Sequence, residues 1–140
     1  MSRSSEEMSP ERYLVDTTLW VRFLRGSDSG LKDRLSSLTL EDKVFTCDII
    51  IMEILRGALS EKEFKSLRED FLSLPQLAID HGIWEEAWRM TFILRKKGVN
   101  APAVDVLISA VASHHKCTLL HADKHFELIA KYTDLKILAL

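Results

Sequence analysis

Five short apolar or β-favouring runs constrain this chain more than any other feature of it. They are Tyr13-Leu14-Val15, Val44-Phe45-Thr46, Leu77-Ala78-Ile79, Thr118-Leu119-Leu120 and Leu135 to Leu138. Each is too short for a helix, and each is separated from the next by a stretch with helical periodicity. Strands joined through helices are parallel, because a parallel crossover needs about a dozen residues or more and cannot be a tight hairpin. The pattern therefore predicts an α/β fold: a single domain with a five-stranded parallel sheet flanked by helices.

The intervening stretches read as helices. Leu19 to Leu24 is short, and Ser29 to Leu40 carries Leu31, Leu35 and Leu38 at helical spacing. Cys47 to Leu59 is too long and too uniformly apolar for a strand, so it is expected to be a buried helix. Glu61 to Leu72 is amphipathic and is stopped by Pro75. Ile83 to Lys97 places Trp84, Trp88 and Phe92 at steps of four and ends at Lys96-Lys97-Gly98. Pro102 opens a helix to about His115, and Asp123 to Tyr132 follows the fourth strand. Residues 1–11 are Ser/Glu-rich and are expected to form a flexible tail, with Met8 a second candidate start; the domain spans 12–140.

Of 140 residues, 46% are hydrophobic and 29% charged, an ordinary globular balance. No apolar run approaches the roughly 18 residues of a spanning helix, so no membrane partner is expected. The N-terminus has no apolar signal core, and Cys47 and Cys117 are isolated in apolar surroundings. They read as buried free thiols of a cytoplasmic protein. The net charge of −2 offers no global attraction for nucleic acid, so any such binding rests on a local basic patch.

Four acids stand where solvent-facing acids do not normally stand. Asp16 ends the first strand. Glu53 is the acid within the apolar run Ile49 to Leu59. Asp105 lies between Val104 and Val106, and Asp123 follows Leu119-Leu120 just past a strand. Each has an ordinary explanation. Asp16 and Asp123 can cap helices, Asp105 suits the positive end of a helix dipole, and Glu53 can pair with Arg56. Four such carboxylates together are harder to explain that way, because ionised carboxylates in apolar surroundings are costly unless paired or bound to metal. Hard oxygen donors suit Mg²⁺ or Mn²⁺, and such a site can activate water for in-line displacement at a phosphodiester. Thr18 is placed to orient one of the carboxylates.

The chain from Tyr13 to Leu138 resembles the PIN-domain family, specifically the small toxins of VapC-like toxin–antitoxin pairs. The resemblance is carried by Leu14-Val15-Asp16-Thr17-Thr18-Leu19-Trp20, Ile51-Met52-Glu53-Ile54-Leu55-Arg56-Gly57-Ala58, Pro102-Ala103-Val104-Asp105-Val106-Leu107-Ile108-Ser109-Ala110 and Leu119-Leu120-His121-Ala122-Asp123-Lys124-His125-Phe126. It implies a Mg²⁺- or Mn²⁺-dependent endoribonuclease. Asp16, Glu53, Asp105 and Asp123 match the family's acidic quartet, and Thr18 matches its usual Ser/Thr. It also implies a cognate antitoxin and a homodimer. Two positions depart from the pattern: His121 stands where many members have Thr or Ser, and His125 where many have a further Asp. His121 is expected to hydrogen-bond Asp123 or a phosphate, and His125 to contact RNA.

For phosphate contacts the best cationic candidates are Arg22, Arg25 and Lys124, which adjoin the acids in sequence. Trp20, Trp84 and Trp88 are read as core or half-buried side chains, with a groove for a partner helix as the alternative. Two other functional readings stand beside the nuclease. One is a non-catalytic PIN-like module that binds RNA or protein. The other is a phosphotransfer domain using Asp16 as nucleophile, against which Thr18 occupies the place of that chemistry's second Asp.

Overall fold

The computed structural model describes residues 11–140. The expected tail and the second candidate start at Met8 thus fall, apart from Glu11, outside the described residues. The elements in chain order are β1 (Tyr13–Val15), α1 (Thr17–Arg25), α2 (Ser29–Leu40), β2 (Val44–Phe45), α3 (Asp48–Leu55), α4 (Glu61–Leu72), α5 (His81–Lys96), α6 (Ala103–His114), β3 (Thr118–His121), α7 (Lys124–Lys131) and β4 (Ile137–Ala139).

The sheet has the order β2-β1-β3-β4 and every pairing is parallel. Leu14 is paired with Phe45 on one side and Leu119 on the other. Leu14, Val15, Leu119 and Leu120 are fully buried, as expected of central strands covered by helices on both faces. α6 is buried continuously from Val106 to Ala112, so its alternation of polar and apolar positions is lost and its sequence reads as a core helix.

Four strands are present among the described residues, not five. The predicted strand Leu77-Ala78-Ile79 is reduced to one parallel bridge between Thr46 and Gln76. Its pairing is limited to two hydrogen bonds, Thr46 N to the Pro75 carbonyl and Leu77 N to the Thr46 carbonyl. Beyond that point the neighbouring chain has turned into α3, and the Ala78 carbonyl instead accepts a 2.8 Å hydrogen bond from Nε2 of His115. Ala78 and Ile79 therefore have no strand to pair with. α3 is also shorter than expected: it stops at Leu55, with the Arg56-Gly57 turn following and Leu59 exposed. Glycine is a poor helix residue, and Ser60 then caps α4 by accepting from the Glu63 amide.

The strand order fixes where a site can form. From β1 the chain moves to β2 on one side, then returns to place β3 on the other side of β1. In open parallel sheets, the crevice beyond the strand C-termini at such a reversal is where ligands bind. Asp16 directly follows β1, and Asp123 lies two residues past β3.

Candidate metal centre

Asp16 is 3% exposed, yet it is a carboxylate at a strand end. The chain leaves β1 and enters α1 at once, so Asp16 serves as the α1 cap: its Oδ2 accepts from the Thr18 amide at 3.3 Å. Asp123 does the same for α7, its Oδ1 accepting from the His125 amide at 2.9 Å. The capping explanation of both acids is thus correct as far as it goes. One cap bond leaves most of a carboxylate's acceptor capacity unused.

Asp16, Glu53 and Asp105 line one cleft of about 660 Å³, together with Thr17, Thr18, Arg22 and Arg25. Asp123 joins them through His125, whose Nδ1 is 3.2 Å from Oδ2 of Asp105 and 3.3 Å from Oδ1 of Asp123. Donor atoms of Asp105, Asp123 and His125 lie within 4.8 Å of one another.

The electrostatics reflect this crowding. Burial, then the charges of Asp105 and Glu53, push the Asp16 carboxyl up to about 6, against the pull of the Thr18 and Thr17 amides. Asp105 is likewise raised, by burial first and by the Asp123 charge second, with His125 opposing. Arg22 and Arg25 reach the cleft wall but make no ion pair with these acids among the described residues. The cluster thus has a deficit of positive charge, and Nδ1 of His125 is buried without a hydrogen-bond partner. Oxygen donors in excess, a buried acid whose ionisation is disfavoured and an unpartnered imidazole nitrogen all fit a divalent cation.

Several expected residues take different parts. Thr18 lines the cleft, but the interaction it makes with Asp16 is through its backbone amide. The side-chain contact belongs to Thr17, whose hydroxyl donates to Oε1 of Glu53 at 2.6 Å. Two adjacent threonines start α1, and only the helix's rotation decides which hydroxyl faces α3, so the sequence carried no signal to choose Thr17. Glu53 meets Thr17 rather than Arg56. His121 is 1% exposed, and its Nδ1 accepts from the Asp123 amide at 3.2 Å. It holds the turn that presents Asp123. Lys124 is exposed and does not line the cleft.

Away from the cleft, Trp20 is core, packed edge-on against Phe23 and Phe71. Trp84 and Trp88 are 42% and 56% exposed. Cys47 and Cys117 are buried free thiols, with burial pushing the Cys47 thiol up to about 11. No helix among the described residues is long and apolar enough to cross a membrane.

Residues 13–132 match the family described as PIN domain. The chain belongs to the PIN-domain family. Within it, this PIN domain is 32% identical over 127 residues to a VapC ribonuclease of Mycobacterium bovis, an alignment covering 88% of this chain and 95% of the relative. Ribonuclease VapC11 of Mycobacterium tuberculosis matches with the same identity and coverage. These relatives place the PIN domain among the VapC-like proteins. Its fold is similar to that in the crystal structure of DNA-bound VapBC from Salmonella typhimurium, with a TM-score of 0.79 at 18% identity over 93% of this chain and 98% of that one.

Proposed function

We propose that this PIN domain is a metal-dependent endoribonuclease acting in the cytoplasm as the toxin of a type II toxin–antitoxin pair. The observation that carries the reading is the convergence of Asp16, Glu53 and Asp105 on one cleft whose wall also bears Arg22 and Arg25. The relatives named as ribonucleases support RNA as the substrate.

In this reading Asp16, Asp105 and Asp123 hold a Mg²⁺ or Mn²⁺ ion, directly or through water. The bound cation supplies Lewis-acid polarisation of the phosphodiester and makes water a better nucleophile near neutral pH. Glu53, fixed by the Thr17 hydroxyl, holds the cation or accepts a proton from the attacking water. Arg22 and Arg25 seat the RNA backbone, since guanidinium groups match phosphate geometry and both residues line the same cleft as the acids. Asp16 is kept in place by its cap bond, so the reacting groups need not reorganise when RNA arrives.

A protein partner is part of the same reading. An apolar cleft of about 410 Å³ bordered by Trp20, Phe23, Leu40 and Phe71 lies between α1, α2 and α4. Exposed Trp84, Trp88 and Phe92 follow one another along α5. Apolar surface left open in this way marks interaction sites. It supports an antitoxin and a second copy of this chain as the occupants, and the relative solved as VapBC supports the antitoxin.

The deciding experiment incubates the metal-stripped protein with a broad RNA set, with and without Mg²⁺ or Mn²⁺ and with chelator. Cleavage that needs the ion and disappears in Asp16→Asn and Asp105→Asn is expected. Folded wild-type protein that leaves all RNA intact, or cuts equally well in chelator, overturns the nuclease reading and leaves a non-catalytic binding module.

A further inference from the structure

His125 stands at the junction of two site acids where a hydrophilic exposed residue would not need to be. Its backbone amide is tied to Asp123, which holds the first turn of α7 against the site. Its Nδ1 then lies 3.2 Å from Asp105 and 3.3 Å from Asp123. That nitrogen is buried and hydrogen-bonds to neither carboxylate. Two donors each about 2.1 Å from an octahedral ion lie about 3.0 Å apart across a cis edge. The spacing of Nδ1 from each oxygen is close to that edge, and donor atoms of all three groups lie within 4.8 Å of one another, a spacing that fits one cation.

We infer that His125 is a nitrogen ligand of the cation held by Asp105 and Asp123, and that it makes this site select a divalent first-row transition ion over Mg²⁺. The inference rests on the metal-dependent reading above and specifies its coordination. Carboxylates and water alone serve Mg²⁺ and Mn²⁺ alike, whereas imidazole favours the transition ions. Mg²⁺ gives up its oxygen shell reluctantly and gains little from a nitrogen donor. The ring is also free to turn toward the ion, because Nε2 has no carboxylate or carbonyl partner among the described residues. A protonated ring in the same place would instead occupy the cation's position, and removing it would then strengthen metal binding.

The test uses the full chain stripped of metal, with Mn²⁺ and Mg²⁺ as probes. Mn²⁺ affinity is measured from the free-ion EPR signal, Mg²⁺ by competition, and the ligand atoms by pulsed EPR of the bound Mn²⁺. Wild-type protein is expected to prefer Mn²⁺ by about tenfold or more and to show ¹⁴N coupling from an imidazole. His125→Asp, which restores a carboxylate and suits the first turn of a helix, keeps Mn²⁺ binding. It loses the ¹⁴N coupling and most of the preference. His125→Asn loses the coupling and weakens Mn²⁺ more than Mg²⁺. Thermal melts establish that each variant is folded. Bound Mn²⁺ without ¹⁴N coupling in wild type, coupling that survives in His125→Asp, or tighter Mn²⁺ binding in His125→Asn overturns the inference alone. A wild-type chain that binds neither ion overturns it together with the metal-dependent reading.

Discussion

The hydroxyl of Thr17 donates to Oε1 of Glu53 across 2.6 Å, joining the first residue of α1 to the middle of α3. These helices are otherwise related only by packing, and the bond sets where the Glu53 carboxylate points. Because the acceptor is an acid in a half-buried position, the bond is stronger than a neutral one, about 1.5–3 kcal/mol for its class.

Thr17→Val should therefore lower stability by about 1–2 kcal/mol and RNA cleavage by about tenfold, mostly through kcat. Thr18→Val should change either quantity little, since Thr18 acts through its backbone amide. Steady-state kinetics and denaturant melts of the two variants check this. Equal losses in both would show that the hydroxyl assignment is wrong.

Asp16 gives a pH signature. Folding raises its carboxyl from 3.8 to about 6, so the folded chain holds that proton more tightly than the unfolded one. Stability from this group is therefore greatest at acid pH, falls as pH rises from about 4 to 6, and stays lost above that. At neutral pH the penalty is on the order of 3 kcal/mol. Metal-free Asp16→Asn should be more stable than wild type at pH 7.5 by up to about that amount, and the two should converge near pH 4. Urea unfolding in EDTA across this range measures it; an Asn variant no more stable at pH 7.5 would refute the cause assigned to the shift.

Arg22→Gln and Arg25→Gln should each raise KM for RNA several-fold with kcat less affected. Each should also reduce the slope of log affinity against log salt by about 0.7, the value for one single-strand phosphate contact. Lys124→Gln, outside the cleft, should have the smaller effect. Salt titrations with a catalytically inactive background such as Asp16→Asn separate binding from cutting.

Gly26 ends α1 in the left-handed region, with φ 70°, and its amide bonds back to the Phe23 carbonyl. An added Cβ meets no atom within 4 Å there, so Gly26→Ala isolates the backbone cost. The loss should be about 1 kcal/mol, seen as a lower melting temperature without a change in core packing.

The parallel α/β frame was legible because strand and helix periods differ and both alternate cleanly along the chain. The four acids were legible because an acid inside an apolar run is costly to leave unexplained. What could not be read depended on facing. Leu77-Ala78-Ile79 has strand composition, yet its pairing fails because the adjacent chain has already become α3. Thr17 and Thr18 are equivalent in sequence and differ by the rotation of one helix residue. Trp84 and Trp88 share a helix with Ile83, Ala87, Met90 and Leu94, and those four take the buried face. Steps of four on the aromatics marked a face without saying that it looks outward.

The pairing of β1 with β3 also sets the order in which the acidic cluster can assemble during synthesis. β1 is made well before β3 and Asp123, which follow α6 in the chain. Closing so long a loop is entropically slow and cannot begin until its far end exists. A nascent chain therefore carries Asp16, Glu53 and Asp105 without the strand that brings Asp123 beside them. On this topology, the acidic cluster is completed only once β3 has emerged and docked beside β1.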